Sequence, residues 1–132
     1  MKYFTIDEMI RSSVARERRI NNEPDMVSLT NLVELIENVL DPLRQAWGKP
    51  IVVNSGYRCR RLNKAVGGAA TSHHLKGKAA DITAGSREYN RLLFLKAQEL
   101  NLPFCQLIDE RNYSWIHVSY DRDDTRRQVL HL

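Results

Sequence analysis

A histidine and an aspartate lie in the middle of two predicted strands, on faces where their side chains can do chemistry. In one strand, alternation turns the apolar Ile116 and Val118 toward the core and leaves His117 on the opposite face. In the other strand, Asp81 shares its face only with small side chains, so there is space above its carboxylate. These two groups are the first candidates for a reactive site.

Two more histidines, His73 and His74, lie in the polar loop that leads into the Asp81 strand. Gly77 allows this loop to turn tightly just before the strand begins. One face of the sheet could therefore carry an imidazole from the loop, a carboxylate and a second imidazole. Two histidines and one carboxylate are a known ligand set of catalytic zinc, with the fourth position left to water. Such a site lowers the pKa of its bound water toward about 7.

The spacing of these residues forms a longer pattern, Ser72-x-His74-x-x-Gly77-x-Ala79-x-Asp81, which is followed by Trp115-x-His117. It resembles the signature of the zinc D-alanyl-D-alanine carboxypeptidase family, which includes L-alanyl-D-glutamate endopeptidases of phage endolysins. The segments Ser55-Gly56-Tyr57-Arg58 and Leu62-Asn63 are similar to the family's segment ahead of the first ligand. The similarity runs from about residue 28 to residue 120.

The resemblance implies one Zn²⁺ per chain with His74, Asp81 and His117 as its ligands. His73 is adjacent to a ligand but off the pattern, and we expect it to be a bystander. Ser72 matches the motif serine, which in the family lies beside the bound peptide. Capping of the local turn is the alternative role for Ser72.

The resemblance also implies a substrate cleft around the metal. Arg58 matches the family arginine that points into the cleft, where its planar fork can hold a peptide carbonyl or carboxylate and stabilise a developing oxyanion. We expect Trp115 to form the cleft wall beside His117.

The general base departs from the usual pattern. Most family members have an acid three residues before the last histidine, but here that position is Ser114, whose hydroxyl cannot take a proton near neutral pH. A phage-like branch carries Gln-Leu-Ile-x-Glu instead, which is similar to the segment from Gln106 to Glu110. This implies Glu110 as base and acid, with Gln106 in the cleft. Asp109 is the competing choice, and alternation puts the two acids on opposite faces of the strand.

Periodicity predicts the elements that must position these groups. The prediction comprises a helix over 29–43 capped by Ser28 and kinked or ended by Pro42, a buried strand at 51–53, a short helix at 60–65, a strand at 79–83, a helix that begins after Ser86, and a hairpin of 105–110 with 115–119. In the helix after Ser86, one face collects Tyr89, Leu92, Leu93, Ala97 and Leu100. The resemblance implies an α+β fold like that of the DD-peptidases and hedgehog domains, with helices on one side of a small, mainly antiparallel sheet.

Length and composition predict one domain, residues 1–132, with a polar, partly helical arm at 1–27 that includes a surface loop at 12–25, and a charged tail at 121–132. The net charge of +4 suits an anionic partner such as a cell wall. No apolar run approaches the roughly 20 residues that span a bilayer, so we expect no membrane partner. No nucleic-acid-reading motif is present, so we expect no nucleic-acid partner either. We expect a monomer.

These features together predict a zinc metallopeptidase that hydrolyses a peptide bond in peptidoglycan stem peptides, either as a D-Ala-D-Ala carboxypeptidase or as an L-Ala-D-Glu endopeptidase. The alternative is a catalytically inactive, zinc-containing binding or phage-structural module of the same fold. The sequence lacks the apolar core of a signal peptide, so we expect a protein that stays in the cytoplasm as synthesised and reaches the wall only when released, as in phage lysis.

Overall fold

The computed structural model describes residues 1–132 and has an α+β fold, as predicted. Its six α-helices are α1 (Ile6–Ile10), α2 (Ser13–Glu17), α3 (Met26–Leu35), α4 (Asp41–Trp47), α5 (Arg60–Ala65) and α6 (Arg87–Glu99). Its five strands are β1 (Val52–Ser55), β2 (Ala79–Thr83), β3 (Gln106–Glu110), β4 (Trp115–Ser119) and β5 (Gln128–His131). They form one sheet in the order β1-β2-β4-β3-β5, in which only the β3–β5 pair is parallel. The prediction of a mainly antiparallel sheet is confirmed.

The helix predicted over 29–43 is part of a longer helical segment that changes its winding in the middle. A π-helical turn at Ile36–Leu40 joins α3 to α4. Pro42 lies in the first turn of α4, where its missing N–H and its ring are incompatible with a regular ladder to the preceding turn. The N-cap is Asp25 rather than Ser28, because the Asp25 carboxylate accepts a hydrogen bond from the backbone N–H of Ser28 at 2.7 Å.

Helices α1, α3, α4 and α6 pack on one face of the sheet and bury the main core, whereas α2 and α5 pack against each other in a small separate cluster. The central helical segment contributes apolar side chains every three or four residues, and the strands contribute alternate residues. The buried side chains of these elements include Leu32, Leu35, Ile36, Val39, Leu40, Ile82, Leu107, Ile116 and Val118. The opposite faces of β2 and β4 are therefore free to carry polar side chains.

Helix α6 begins after its N-cap Ser86, as predicted, but its buried face is rotated from the predicted one. Tyr89, Leu92 and Leu100 are exposed, whereas Asn90 and Phe94 are buried beside Leu93 and Ala97. Burial of Asn90 explains the difference, because its carboxamide accepts from the N–H of Ala84 at 2.6 Å and donates to the carbonyl of Tyr113 at 2.9 Å. Because Asn90 is polar, the spacing of apolar residues alone does not identify the buried face of this helix.

The strand predicted at 51–53 is present as Val52–Ser55, but the prediction that it is buried is wrong, since only Ile51, just before it, is buried. Strand β1 starts at Val52 and lies at the edge of the sheet, where it pairs with β2 alone. Val52 is 55% exposed. A run of β-branched residues favours a strand but does not indicate how many neighbours that strand has.

Both ends of the chain pack against the core. In the segment predicted to be a polar arm, Phe4 and Met9 are buried, and the predicted loop at 12–25 contains helix α2. In the segment predicted to be a charged tail, β5 adds a parallel edge strand to β3. None of the helices has the length and hydrophobicity needed to cross a bilayer.

Candidate metal centre

Three side chains converge on the face of the sheet that the helical core leaves free. Asp81 and His117 lie directly opposite each other in the β2–β4 register. His74 approaches from a 3₁₀ helix at His73–Lys76, which ends at Gly77 in the left-handed conformation that glycine favours. The potential ligand atoms of His74, Asp81 and His117 all lie within 4.8 Å of one another.

The hydrogen bond of His74 to the backbone leaves its second ring nitrogen facing Asp81. Its Nδ1 lies 2.6 Å from the carbonyl oxygen of Gly56, which can only accept, so Nδ1 carries the proton. In the neutral ring, Nε2 therefore presents a lone pair, and it faces Oδ1 of Asp81 at 3.3 Å. Two acceptors at this distance need either a proton or a metal ion between them.

The spacing of the donors fits Zn²⁺. The Nδ1 atom of His117 lies 3.0 Å from Oδ1 of Asp81, close to the His74 separation of 3.3 Å. Two ligand atoms bound to one tetrahedral zinc ion lie about 3.3 Å apart. The chemistry of the three groups and the two imidazole–carboxylate separations therefore match a zinc site.

The protonation state of Asp81 also suits ligation. Burial by itself raises the pKa of this carboxyl. Hydrogen bonds with His117 and His74 have a larger, opposite effect and hold the pKa well below its usual range. Asp81 is therefore a carboxylate at neutral pH, the form that binds a metal ion.

Arg58 is held in one position beside Asp81. Its Nε donates to Oγ of Ser55 at 3.1 Å, one Nη donates to Oδ1 of Asn63 at 3.0 Å, and the other lies 3.5 Å from Oδ2 of Asp81. Burial lowers the pKa of the guanidinium and the Asp81 charge opposes this, so Arg58 remains a cation. Sequence reasoning gave Ser55 and Asn63 no role, although both lie in the segments that carried the resemblance.

A cleft with a volume of about 620 Å³ lies over the three candidate ligands. Every site residue expected from the sequence lines this cleft: Arg58, Ser72, His74, Asp81, Gln106, Glu110, Trp115 and His117. His73 lines it as well but is not among the three converging groups. The hydroxyl of Ser72 accepts from the backbone N–H of His74 at 3.2 Å, so this serine caps the turn and also faces the cleft.

The two candidate acids are on opposite faces of β3. Ile108 pairs with His117 and Glu110 pairs with Trp115, so Glu110 shares the face of the metal ligands. Asp109 is buried on the other face, where its carboxylate is hydrogen-bonded to His131 of β5. Asp109 therefore has no access to the cleft.

Gln128, in the last strand, contacts the cleft-lining residue Gln106. The side-chain N–H of Gln106 donates to the side-chain oxygen of Gln128 at 2.8 Å. Gln128 lies in the predicted tail and has no signal in the sequence, because its relevance depends on the pairing of β5 with β3. Ser114, at the position where the family usually has an acid, lies in the β3–β4 turn and donates to the carbonyl of Arg111 at 2.7 Å.

Two comparisons with known proteins match the chain. A family model described as Peptidase M15 matches residues 2–119. The zinc D-Ala-D-Ala carboxypeptidase of Streptomyces albus G is 49% identical to the chain over 51 residues. That alignment covers 38% of this chain and 20% of the relative, so the match spans a fifth of the relative's length.

Proposed function

The chain belongs to the peptidase M15 family, and from this premise we propose that it is a zinc metallopeptidase that hydrolyses a peptide bond in the stem peptides of bacterial peptidoglycan. The observation that carries the proposal is the convergence of His74, Asp81 and His117 within 4.8 Å beneath an open cleft. The name of the relative, a zinc D-Ala-D-Ala carboxypeptidase, supports both the metal and the substrate class.

His74, Asp81 and His117 hold the zinc ion in this proposal. When bound by such a ligand set, Zn²⁺ supplies Lewis acidity toward water and toward a peptide carbonyl. Glu110 takes a proton from the attacking water at its carboxylate and delivers a proton to the leaving nitrogen. This role of Glu110 is supported by its position: it lies on the same sheet face as His117 and lines the cleft.

Arg58 binds and polarises the substrate. Its guanidinium has five N–H donors, of which three are used on Ser55, Asn63 and Asp81. The remaining donors serve a peptide carbonyl, whose oxygen gains negative charge as the water attacks. The three existing bonds hold the guanidinium in place before the substrate arrives, so little entropy is lost on binding.

Ser72, Gln106 and Trp115 bind the peptide along the cleft walls that they line. The cleaved bond is either the terminal D-Ala-D-Ala bond or the internal L-Ala-D-Glu bond. The name of the relative, a D-Ala-D-Ala carboxypeptidase, supports the former, and the segment from Gln106 to Glu110, which is similar to a phage-like branch, supports the latter. We expect a monomer that acts on the wall after its release, as a phage endolysin does.

Digestion of purified peptidoglycan by the zinc-loaded protein tests the proposal, with products weighed by mass spectrometry. We expect soluble stem-peptide products whose masses identify the bond, either loss of a single alanine or release of an internal fragment. Removal of a general base costs roughly 10²- to 10⁴-fold in rate, so Glu110→Ala should lose nearly all activity. The matched control is Glu99→Ala, which removes an exposed acid at the end of α6 and should leave the rate unchanged.

A second candidate function is a zinc-containing binding or phage-structural module without turnover. The observation in its favour is Ser114 at the position of the usual acid, with a hydroxyl already bonded to Arg111 and to Arg87. One equivalent of bound zinc without any peptide product from wild-type protein would favour the module and contradict the peptidase.

A further inference from the structure

A second cavity lies beside the cleft over the candidate metal ligands and is larger than it, at about 850 Å³ compared with about 620 Å³. The two cavities share part of their walls, because Thr71, Ser72 and His73 line both. A peptide bound over the metal ligands can therefore extend past Ser72 into the second cavity.

Tyr57 carries a polar group into this cavity without a partner. The residue is only 9% exposed and its ring packs in the main core, yet it lines the cavity and its hydroxyl makes no hydrogen bond within the chain. The hydroxyl is not sealed inside the protein, where only Nε1 of Trp47 is buried without a partner, so it is open to solvent and to a ligand in the cavity. Burial also raises the pKa of Tyr57, so the hydroxyl is protonated at neutral pH and can donate to an acceptor.

Tyr57 is also fixed in position by its backbone. Its N–H donates to the carbonyl of Met9 at 2.7 Å, and its own carbonyl accepts from the side chain of Asn22 at 3.0 Å. The hydroxyl therefore has a defined place before any ligand arrives, which lowers the entropic cost of binding.

Two unpaired cations surround the same cavity. Arg60, at the start of α5, and Lys76, in the 3₁₀ helix, both line it and form no ion pair. Of the other charged groups in the wall, Lys78 is paired with Asp121 at 2.8 Å, and Asp25 is engaged as the N-cap of α3. The groups free to contact a ligand are thus mainly positive charges and a hydroxyl donor.

We infer that the second cavity is a subsite for a free carboxylate of the peptide substrate, bound by Arg60, Lys76 and the hydroxyl of Tyr57. The inference rests on the proposed function and specifies the part of the substrate beyond the cleaved bond. A glutamyl residue that is linked through one carboxyl group keeps the other as a free carboxylate. Hydrogen bonds from cations to such a carboxylate are about twice as strong as those between neutral groups.

Kinetics on a matched pair of synthetic stem peptides test the subsite, one with a free carboxylate on its glutamyl residue and one with the carboxamide. Wild-type protein should have a KM about tenfold lower for the acid than for the amide, because a hydrogen bond to a charged group contributes this much. The variants Tyr57→Phe, Arg60→Ala and Lys76→Ala should each raise KM for the acid while kcat changes less than about twofold. Tyr57→Phe keeps the buried ring and removes only the hydroxyl.

Lys64→Ala is the matched control, because Lys64 is an exposed cation on α5 that does not line this cavity. It should leave the preference for the acid unchanged. Equal KM values for the two peptides with wild-type protein, or an equal loss of preference in Lys64→Ala, would overturn the subsite.

Calorimetric binding of both peptides to zinc-loaded Glu110→Ala separates this inference from the proposed function. Tighter binding of the acid, with the preference lost on Tyr57→Phe in the same background, supports the subsite even if wild-type protein shows no turnover. Turnover by wild-type protein with no binding preference supports the peptidase and contradicts the subsite.

Discussion

The backbone carbonyl of Gly56 contributes to the metal site although glycine has no side chain. It accepts the hydrogen bond from Nδ1 of His74 at 2.6 Å, which selects the tautomer that turns Nε2 toward Asp81. Gly56 also lies against the end of α1, so closely that an added Cβ would be 2.2 Å from the carbonyl oxygen of Met9. The smallest residue is required here because two backbone segments meet.

We predict that Gly56→Ala both destabilises the fold and weakens zinc binding. The clash with the backbone of Met9 should cost about 1–3 kcal/mol in the free energy of unfolding. Displacement of the carbonyl that orients His74 should lower zinc affinity by roughly 10- to 100-fold. Denaturant unfolding and competition with a zinc chelator measure the two effects.

Gly48→Ala is the control for this prediction. Gly48 ends α4 in the left-handed conformation with no atom near its would-be Cβ, so the substitution strains the backbone far from the metal site. It should lower stability and leave zinc affinity unchanged. Wild-type zinc affinity in Gly56→Ala would refute the role given to its carbonyl.

At the scale of elements, the N-terminal segment supports the loop that carries Arg58. Asn22 is buried between them and makes three hydrogen bonds: its amide donates to the carbonyls of Ile10 and Tyr57 at 2.8 and 3.0 Å, and its oxygen accepts from the N–H of Cys59 at 2.8 Å. These bonds connect the chain after α1 to both neighbours of Arg58. The residues predicted to form an arm are therefore part of the site's scaffold.

We predict that Asn22→Ala lowers the free energy of unfolding by about 2–4 kcal/mol. The substitution leaves two carbonyls and one N–H without partners in a buried place, and each such group costs about 1–3 kcal/mol, partly recovered by relaxation. The neighbouring Asn21 is exposed, so Asn21→Ala should change stability by less than about 0.5 kcal/mol. Chemical denaturation of both variants checks this, and equal stabilities would show that Asn22 has no bracing role.

At the scale of the whole molecule, a metal ion at the candidate site would connect three separate parts of the chain. His74 comes from the 3₁₀ helix, Asp81 from β2 and His117 from β4. Asp81 and His117 are 36 residues apart in the sequence. The three ligands therefore come together only in the folded state. Binding to the folded state alone raises stability.

We predict that zinc raises the melting temperature and that a chelator lowers it. At a free zinc concentration 1,000 times the dissociation constant, the gain is about 4 kcal/mol, which corresponds to a shift of roughly 10 °C or more for a domain of this size. Scanning calorimetry with and without zinc measures the shift. Asp81→Asn should abolish it, and a wild-type melting temperature that is independent of zinc would contradict the assigned ligands.

Local patterns in the sequence determined most of the elements and the faces of Asp81 and His117, whereas the family resemblance selected His74 as the third ligand. Alternation along β2 and β4 was sufficient to put Asp81 and His117 on the face away from the core, and the confirmed hairpin between β3 and β4 follows from its turn residues. Both patterns depend only on the geometry of neighbouring residues, which the order of amino acids carries directly.

The tertiary structure alone decided how those elements meet. Alternation separates Asp109 from Glu110, but only the pairing of Ile108 with His117 turns Glu110 toward the cleft. The support of His74 by Gly56 and the bond from Gln106 to Gln128 likewise join residues far apart in the chain. Periodicity records which face of an element is apolar, whereas register, backbone contacts and the occupants of a cavity depend on packing between elements.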